Sequence, residues 1–148
     1  MNAPGIYDVG SSAITTAVTG SVITSSTDSA GTAIEYVDRL DGLTAITAQF
    51  RLAYGSGGTT VKAYLQTSID QGTTWVDIAC VAFTTSSSTK VVNLSGLTAK
   101  TTAATPTDGS LTDDTCVDGI LGDRLRVKIT TTGTYAGSTT LSVRVSAR

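Results

Sequence analysis

The chain predicts an all-β fold, an antiparallel β-sandwich or jelly roll with an extended N-terminal arm. Three observations carry that expectation. Apolar residues recur at period two, and no useful length of chain places them at the i, i+3, i+4, i+7 spacing of an amphipathic helix. Thr, Ser, Ala, Gly and Val dominate the composition. The β-branched residues among them favour a pleated, half-buried surface. Turn signals follow one another closely with no crossover helix between them, which excludes a parallel α/β fold. At 148 residues the chain has the usual size of one domain. Folding at that length buries roughly 70 % of the unfolded surface, so one core suffices.

The elements follow in chain order. Residues 1–32 are rich in Ser, Thr and Ala and poor in large apolar side chains. They read as an arm that pairs either with the sheet or with a neighbour, and residues 33–148 read as the sandwich. Ile6, Tyr7, Ile14, Val18, Val22 and Ile23 are the arm's sizeable side chains and its candidate partner-binding residues. In "AITAQFRLAY" Ile46, Ala48, Phe50 and Leu52 alternate with Thr47, Gln49 and Arg51. "GSGG" then breaks the strand. "TTVKAYLQTS" places Val61, Ala63 and Leu65 on one face. "WVDIACVAF" is apolar on both faces, as expected of a central strand or of one covered by a partner chain. "TTSSSTKVVNLS" holds a polar turn and a short strand. Residues 96–119 read as a long surface loop, functional or mobile at that length. The last hairpin points Leu125, Val127 and Ile129 inward, turns through "GTYAGS", and returns with Leu141, Val143, Val145 and Ala147 inward. Arg126, Lys128 and Arg144 point outward.

Charge and cysteine usage narrow the functions. Charged residues make up 15 % of the chain, the net charge is −2, and there is no histidine. No basic face is expected for nucleic acid. Without His, the Ser-His-Asp and Cys-His dyads and most zinc sites are excluded. No catalytic residue, cofactor or metal is expected. Cys80 and Cys116 lack metal-ligand spacing. Free buried thiols are preferred over a disulfide. The start of the chain lacks the n- and h-regions of a signal peptide, and no segment has the roughly 18 consecutive apolar residues of a membrane span. A soluble chain is expected, with no membrane partner.

"SIDQGTTW" fits the pattern S-x-D-x-G-x-T-W, the Asp box of sialidases and related β-propellers. Its residues Ser68, Asp70, Gly72, Thr74 and Trp75 have a local explanation. Asp70 accepts backbone N–H groups in its own turn, Gly72 supplies a turn conformation, and Trp75 packs across the hairpin. One box in a chain this short makes no propeller, so the motif reads as scaffolding. Asp108, Asp113, Asp114, Asp118 and Asp123 cluster without the calcium-loop pattern and read as a solvated acidic loop. The cations Arg51, Lys62, Arg126, Lys128 and Arg144 read as a solvated sheet face, with a basic stripe for an acidic partner as the competing reading.

"VKAYLQTSIDQGTTWVDIACVAF", a Thr-rich segment, and "ILGDRLRVKITTTGTYAGSTTLSVRVSAR" together resemble capsid decoration (cement) proteins of jelly-roll type from tailed phages. The resemblance spans residues 33–148. It implies a non-enzymatic virion part, made in the bacterial host cytoplasm. It would sit on the outer capsid surface as a homo-oligomer, a dimer or trimer, bridging subunits of the major capsid protein. Two other classes remain open. One is a phage tail or baseplate structural protein. The other is a carbohydrate-binding β-sandwich module using Tyr54, Tyr64 and Trp75.

Overall fold

The structure is a computed structural model that describes residues 3–148; Met1 and Asn2, the first residues of the expected arm, lie outside the described residues. Thirteen strands follow one another: β1 (Gly5–Ala13), β2 (Ser21–Val22), β3 (Ser26–Thr27), β4 (Ala33–Ile34), β5 (Ala45–Ala53), β6 (Ser56–Gly57), β7 (Thr60–Ser68), β8 (Val76–Phe83), β9 (Ser88–Ser95), β10 (Thr115–Cys116), β11 (Arg124–Thr132), β12 (Tyr135–Ala136) and β13 (Thr140–Ala147). Among the described residues there is no helix. Sheet one has the order β1-β13-β5-β9 and sheet two the order β10-β8-β7-β11-β2, while β12-β6 and β3-β4 form small ribbons. All pairings are antiparallel.

The inward faces follow from period two. Ile46, Ala48, Phe50 and Leu52 of β5 are buried, as are Leu141, Val143, Val145 and Ala147 of β13. They pack against Val61, Ala63 and Leu65 of β7 and Leu125, Val127 and Ile129 of β11. Tyr135 is a further core residue within the expected "GTYAGS" turn, and its hydroxyl donates to the Thr84 carbonyl at 3.0 Å.

The N-terminal segment pairs with its own sheets, so it is part of the sandwich and not a detached arm. Strand β1 runs along β13, from Gly5 opposite Ala147 to Ala13 opposite Thr140. Strand β2 pairs with Lys128 and Ile129 of β11. The pairing is built around Gly10, whose φ is +135°. A Cβ there would lie 2.5 Å from the Thr24 carbonyl oxygen. Only glycine lets the two segments approach so closely.

Strand β8 departs from simple alternation. The register shifts between Leu65, opposite Ala79, and Gln66, opposite Asp77. Ile78 is the extra residue of this β-bulge. Val81 and Phe83 therefore join the core with Ala79, Ile78 joins it from the bulge, and Cys80 and Ala82 share the outer side with Asp77. That outer side is covered by the chain's own segment 107–119, so β8's second apolar side needs no partner chain.

Candidate functional site

The Asp-box residues meet in one hairpin. Asp70 Oδ1 accepts the Thr74 backbone N–H at 2.7 Å and the Ser68 hydroxyl at 2.9 Å, and Ser68 Oγ accepts the Gly72 N–H at 2.8 Å. The Thr74 backbone N–H is the main reason the exposed Asp70 carboxyl sits below its ordinary value. Gly72 takes φ +91°, and a methyl group on it would approach Arg124 Nη1 to 2.9 Å. The Arg126 guanidinium lies 4.2 Å from the Trp75 ring centroid, and the Tyr36 ring lies 6.3 Å from it. The Ser68 hydroxyl and Asp70 Oδ1 are thus spent within the turn. The other candidate aromatics are elsewhere: Tyr64 is buried, and Tyr54 meets Tyr135 edge-on at 6.2 Å. Tyr54, Tyr64 and Trp75 do not form a row for stacking a sugar.

The densest polar cluster is on the outer side of sheet two. The bulge sets Asp77 opposite Gln66, and the next register sets Gln66 opposite Arg126. Both Gln66 and Asp77 are buried. The Asp77 carboxylate accepts Gln66 Nε2 at 2.8 Å, Thr107 Oγ1 at 2.8 Å, and the backbone N–H groups of Gly109, Ser110 and Leu111 at 2.8–3.2 Å. Its own N–H donates to the Thr107 carbonyl at 2.8 Å. Gln66 Oε1 accepts Arg126 Nε at 2.8 Å, and Asp108 accepts Gln66 Nε2 at 2.6 Å and the Lys128 ammonium. A buried carboxylate with this many donors is satisfied. Its geometry fixes a loop.

The expected solvated acidic loop is therefore tied to the sheet. Asp113 pairs with Lys62 at 2.8 Å and Asp114 with Lys90 at 2.9 Å. Asp114 also accepts the Ala82 N–H at 3.1 Å, and Asp118 accepts the Ser95 N–H at 2.6 Å. Burial pushes the Asp108 carboxyl up, but hydrogen bonds from Lys128 and Gln66 outweigh it and hold it below its ordinary value. The Lys90 hydrogen bond does the same for Asp114, and the Ser95 N–H for Asp118. Each carboxylate serves a different partner. Among the described residues, no group of three or more His, Cys, Asp or Glu is placed to hold a metal ion. Both cysteines are free; Cys80 is buried, but Cys116 is exposed, against the expectation for it. Burial, with Asp113 nearby, pushes the Cys80 thiol up to about 11.

The candidate partner-binding residues of the N-terminal segment separate. Ile14 and Ile23 are core residues, and Tyr7 and Val18 pack against the core. Val22 is half-buried in β2. Ile6 alone of the six stays well exposed, at 69 %. It lies on the outer face of sheet one, which no segment of the described chain covers in the way that 107–119 covers sheet two. Arg51 of β5 and Arg144 of β13 are exposed there. With Asp8, Ser11, Gln49 and Ser142 they line a concavity of about 370 Å³. Sequence reasoning grouped these two arginines with Lys62, Arg126 and Lys128. The structure splits the group, because the latter three are ion-paired.

Among the described residues, no helix is long and apolar enough to cross a membrane. No known protein family, curated protein or solved structure matches the chain.

Proposed function

We propose that this chain is a non-enzymatic structural protein of a virus particle, a capsid decoration protein that bridges subunits of the major capsid protein. The observation that carries the reading is the strand order. Without the small ribbons and β10, the sheets read β1-β13-β5-β9 and β2-β11-β7-β8. Strands β1, β5, β9 and β13 lie in one sheet and β2, β7, β8 and β11 in the other, an interleaving that supports the jelly-roll reading of the sandwich. A jelly roll is what the resemblance to phage cement proteins implies. The polar chemistry agrees with it. The Asp-box hairpin and the Asp77 cluster both stabilise backbone, and sheet one keeps an open face for a partner. A decoration protein works through repeated modest contacts on a lattice, where multivalency raises avidity.

The experiment is direct. Purified chain is mixed with undecorated tailed-phage capsids assembled from major capsid protein alone, and the particles are imaged. Extra density on the outer surface, at a fixed ratio to capsid subunits, is the expected result. Density confined to tails, or no attachment to either, removes the assignment.

A further inference from the structure

Seven cations stand on the long strands: Arg51, Lys62, Lys90, Arg124, Arg126, Lys128 and Arg144. Lys62, Lys90, Arg126 and Lys128 pair with aspartates of the segment 108–114, and Arg124 lies 4.0 Å from Asp123. Among the described residues, Arg51 and Arg144 have no ion pair and no hydrogen bond to their side chains. Their positions sharpen the contrast. Arg51 is opposite Ser142 and Arg144 is opposite Gln49, so the two guanidiniums are diagonal neighbours on adjacent strands. Diagonal neighbours lie within reach of long side chains, so the two like charges share one patch of the face. The nearest carboxylate in register, Asp8 opposite Arg144, is turned to the Gly10 N–H at 3.0 Å.

The same face carries exposed aliphatic side chains at both edges. Ile6 on β1 is 69 % exposed and Val91 on β9 is 60 % exposed. Val91 is opposite Gln49, and Ile6 is opposite Ser146. The face thus has an arginine pair at its centre and an aliphatic group at each margin. Arginine with apolar neighbours is the composition of protein interfaces, and a guanidinium binds carboxylate through two parallel hydrogen bonds.

We propose that the outer face of sheet one docks on an acidic protein surface, with Arg51 and Arg144 taking carboxylates and Ile6 and Val91 packing beside them. This rests on the capsid reading only for the identity of the partner; the face and its chemistry are testable without it. Full-length chain is titrated against poly-L-glutamate, heparin and single-stranded DNA of matched charge at low salt. It binds poly-L-glutamate best, and the double variant R51Q/R144Q weakens that binding at least tenfold, while R39Q does not. Unchanged binding by the double variant overturns the proposal. Preference for heparin or DNA overturns the class of partner. Loss of a dimer in R51Q/R144Q, read by sedimentation, makes a second copy the occupant and overturns it as well. Capsid attachment separates this inference from the reading above. Attachment insensitive to both arginines removes the face and keeps the virion role. Arginine-dependent poly-L-glutamate binding without capsid attachment keeps the face and removes the virion role.

Discussion

The Asp77 carboxylate holds the Gln66 amide, the Thr107 hydroxyl and three backbone N–H groups at once. Asp77→Ala leaves Gln66 and the 109–111 backbone donors without their acceptor. The expected loss is about 3 kcal/mol, the scale of buried donors left unsatisfied, read as a lower urea midpoint. An unchanged midpoint would show that water replaces the carboxylate at no cost. Asp70→Ala, on an exposed turn, lowers the melting temperature modestly and leaves any sugar affinity unchanged; lost glycan binding with normal melting would make the hairpin a site. Cys116 is open to a thiol reagent in the native state, whereas Cys80 reacts only on unfolding. Counting labels before and after denaturant checks this. Asp77 could not be identified from sequence. Strict alternation gives it the parity of Ala79, Val81 and Phe83, which face the core, and only the bulge at Ile78 turns it outward onto Gln66.

At the scale of elements, the strand interiors were legible because period two states which side faces in. Phe50, Leu52, Leu125 and Val143 went where alternation put them. The N-terminal segment was harder to place. Strand β1 is an edge strand with a bulge, and its fully buried residues are Val9 and Gly10. Too few large side chains point inward to reveal a period. Segment 107–119 was legible as a loop, but its anchors are long-range hydrogen bonds that no local pattern encodes. Truncation tests the placement. Deleting residues 2–30 removes Val9, Ile14 and Ile23 from the core. Each such side chain contributes roughly 1.5–3 kcal/mol, and together they approach the whole stability of a small domain. The truncated chain is therefore expected to lose its cooperative melting transition. A folded product would return the segment to the status of an arm.

The whole molecule has a pH signature. Asp70, Asp108, Asp114 and Asp118 all have carboxyls held below the ordinary 3.8 in the folded state. The unfolded chain takes up their protons first as the pH falls. Their contribution is complete above the unfolded value and disappears as the pH drops through the folded values. The melting temperature should therefore show no loss from these groups between pH 7 and 5, and fall below about pH 4. Acid melting that begins near pH 6 would require another group. The purified chain should not hydrolyse glycosides, esters or peptides; turnover abolished by one Asp substitution would contradict a purely structural role. The face of sheet one was half legible: Arg51 and Arg144 were named as outward cations. That they alone of the strand cations lack carboxylate partners required the path of segment 107–119.

Strand β13 lies between β1 and β5 in sheet one. Until residues 140–147 leave the ribosome, β1 has no ladder to join, and β5 has only β9. The nascent chain must therefore wait with both strands unpaired on that side, exposing backbone edges that β13 will pair. Non-local pairing of this kind folds in milliseconds to seconds, while synthesis of a chain this size takes roughly 7–30 s at bacterial or slower rates. The native sandwich closes only after translation of β13. The interval before closure is when the protein is most open to aggregation and to chaperones.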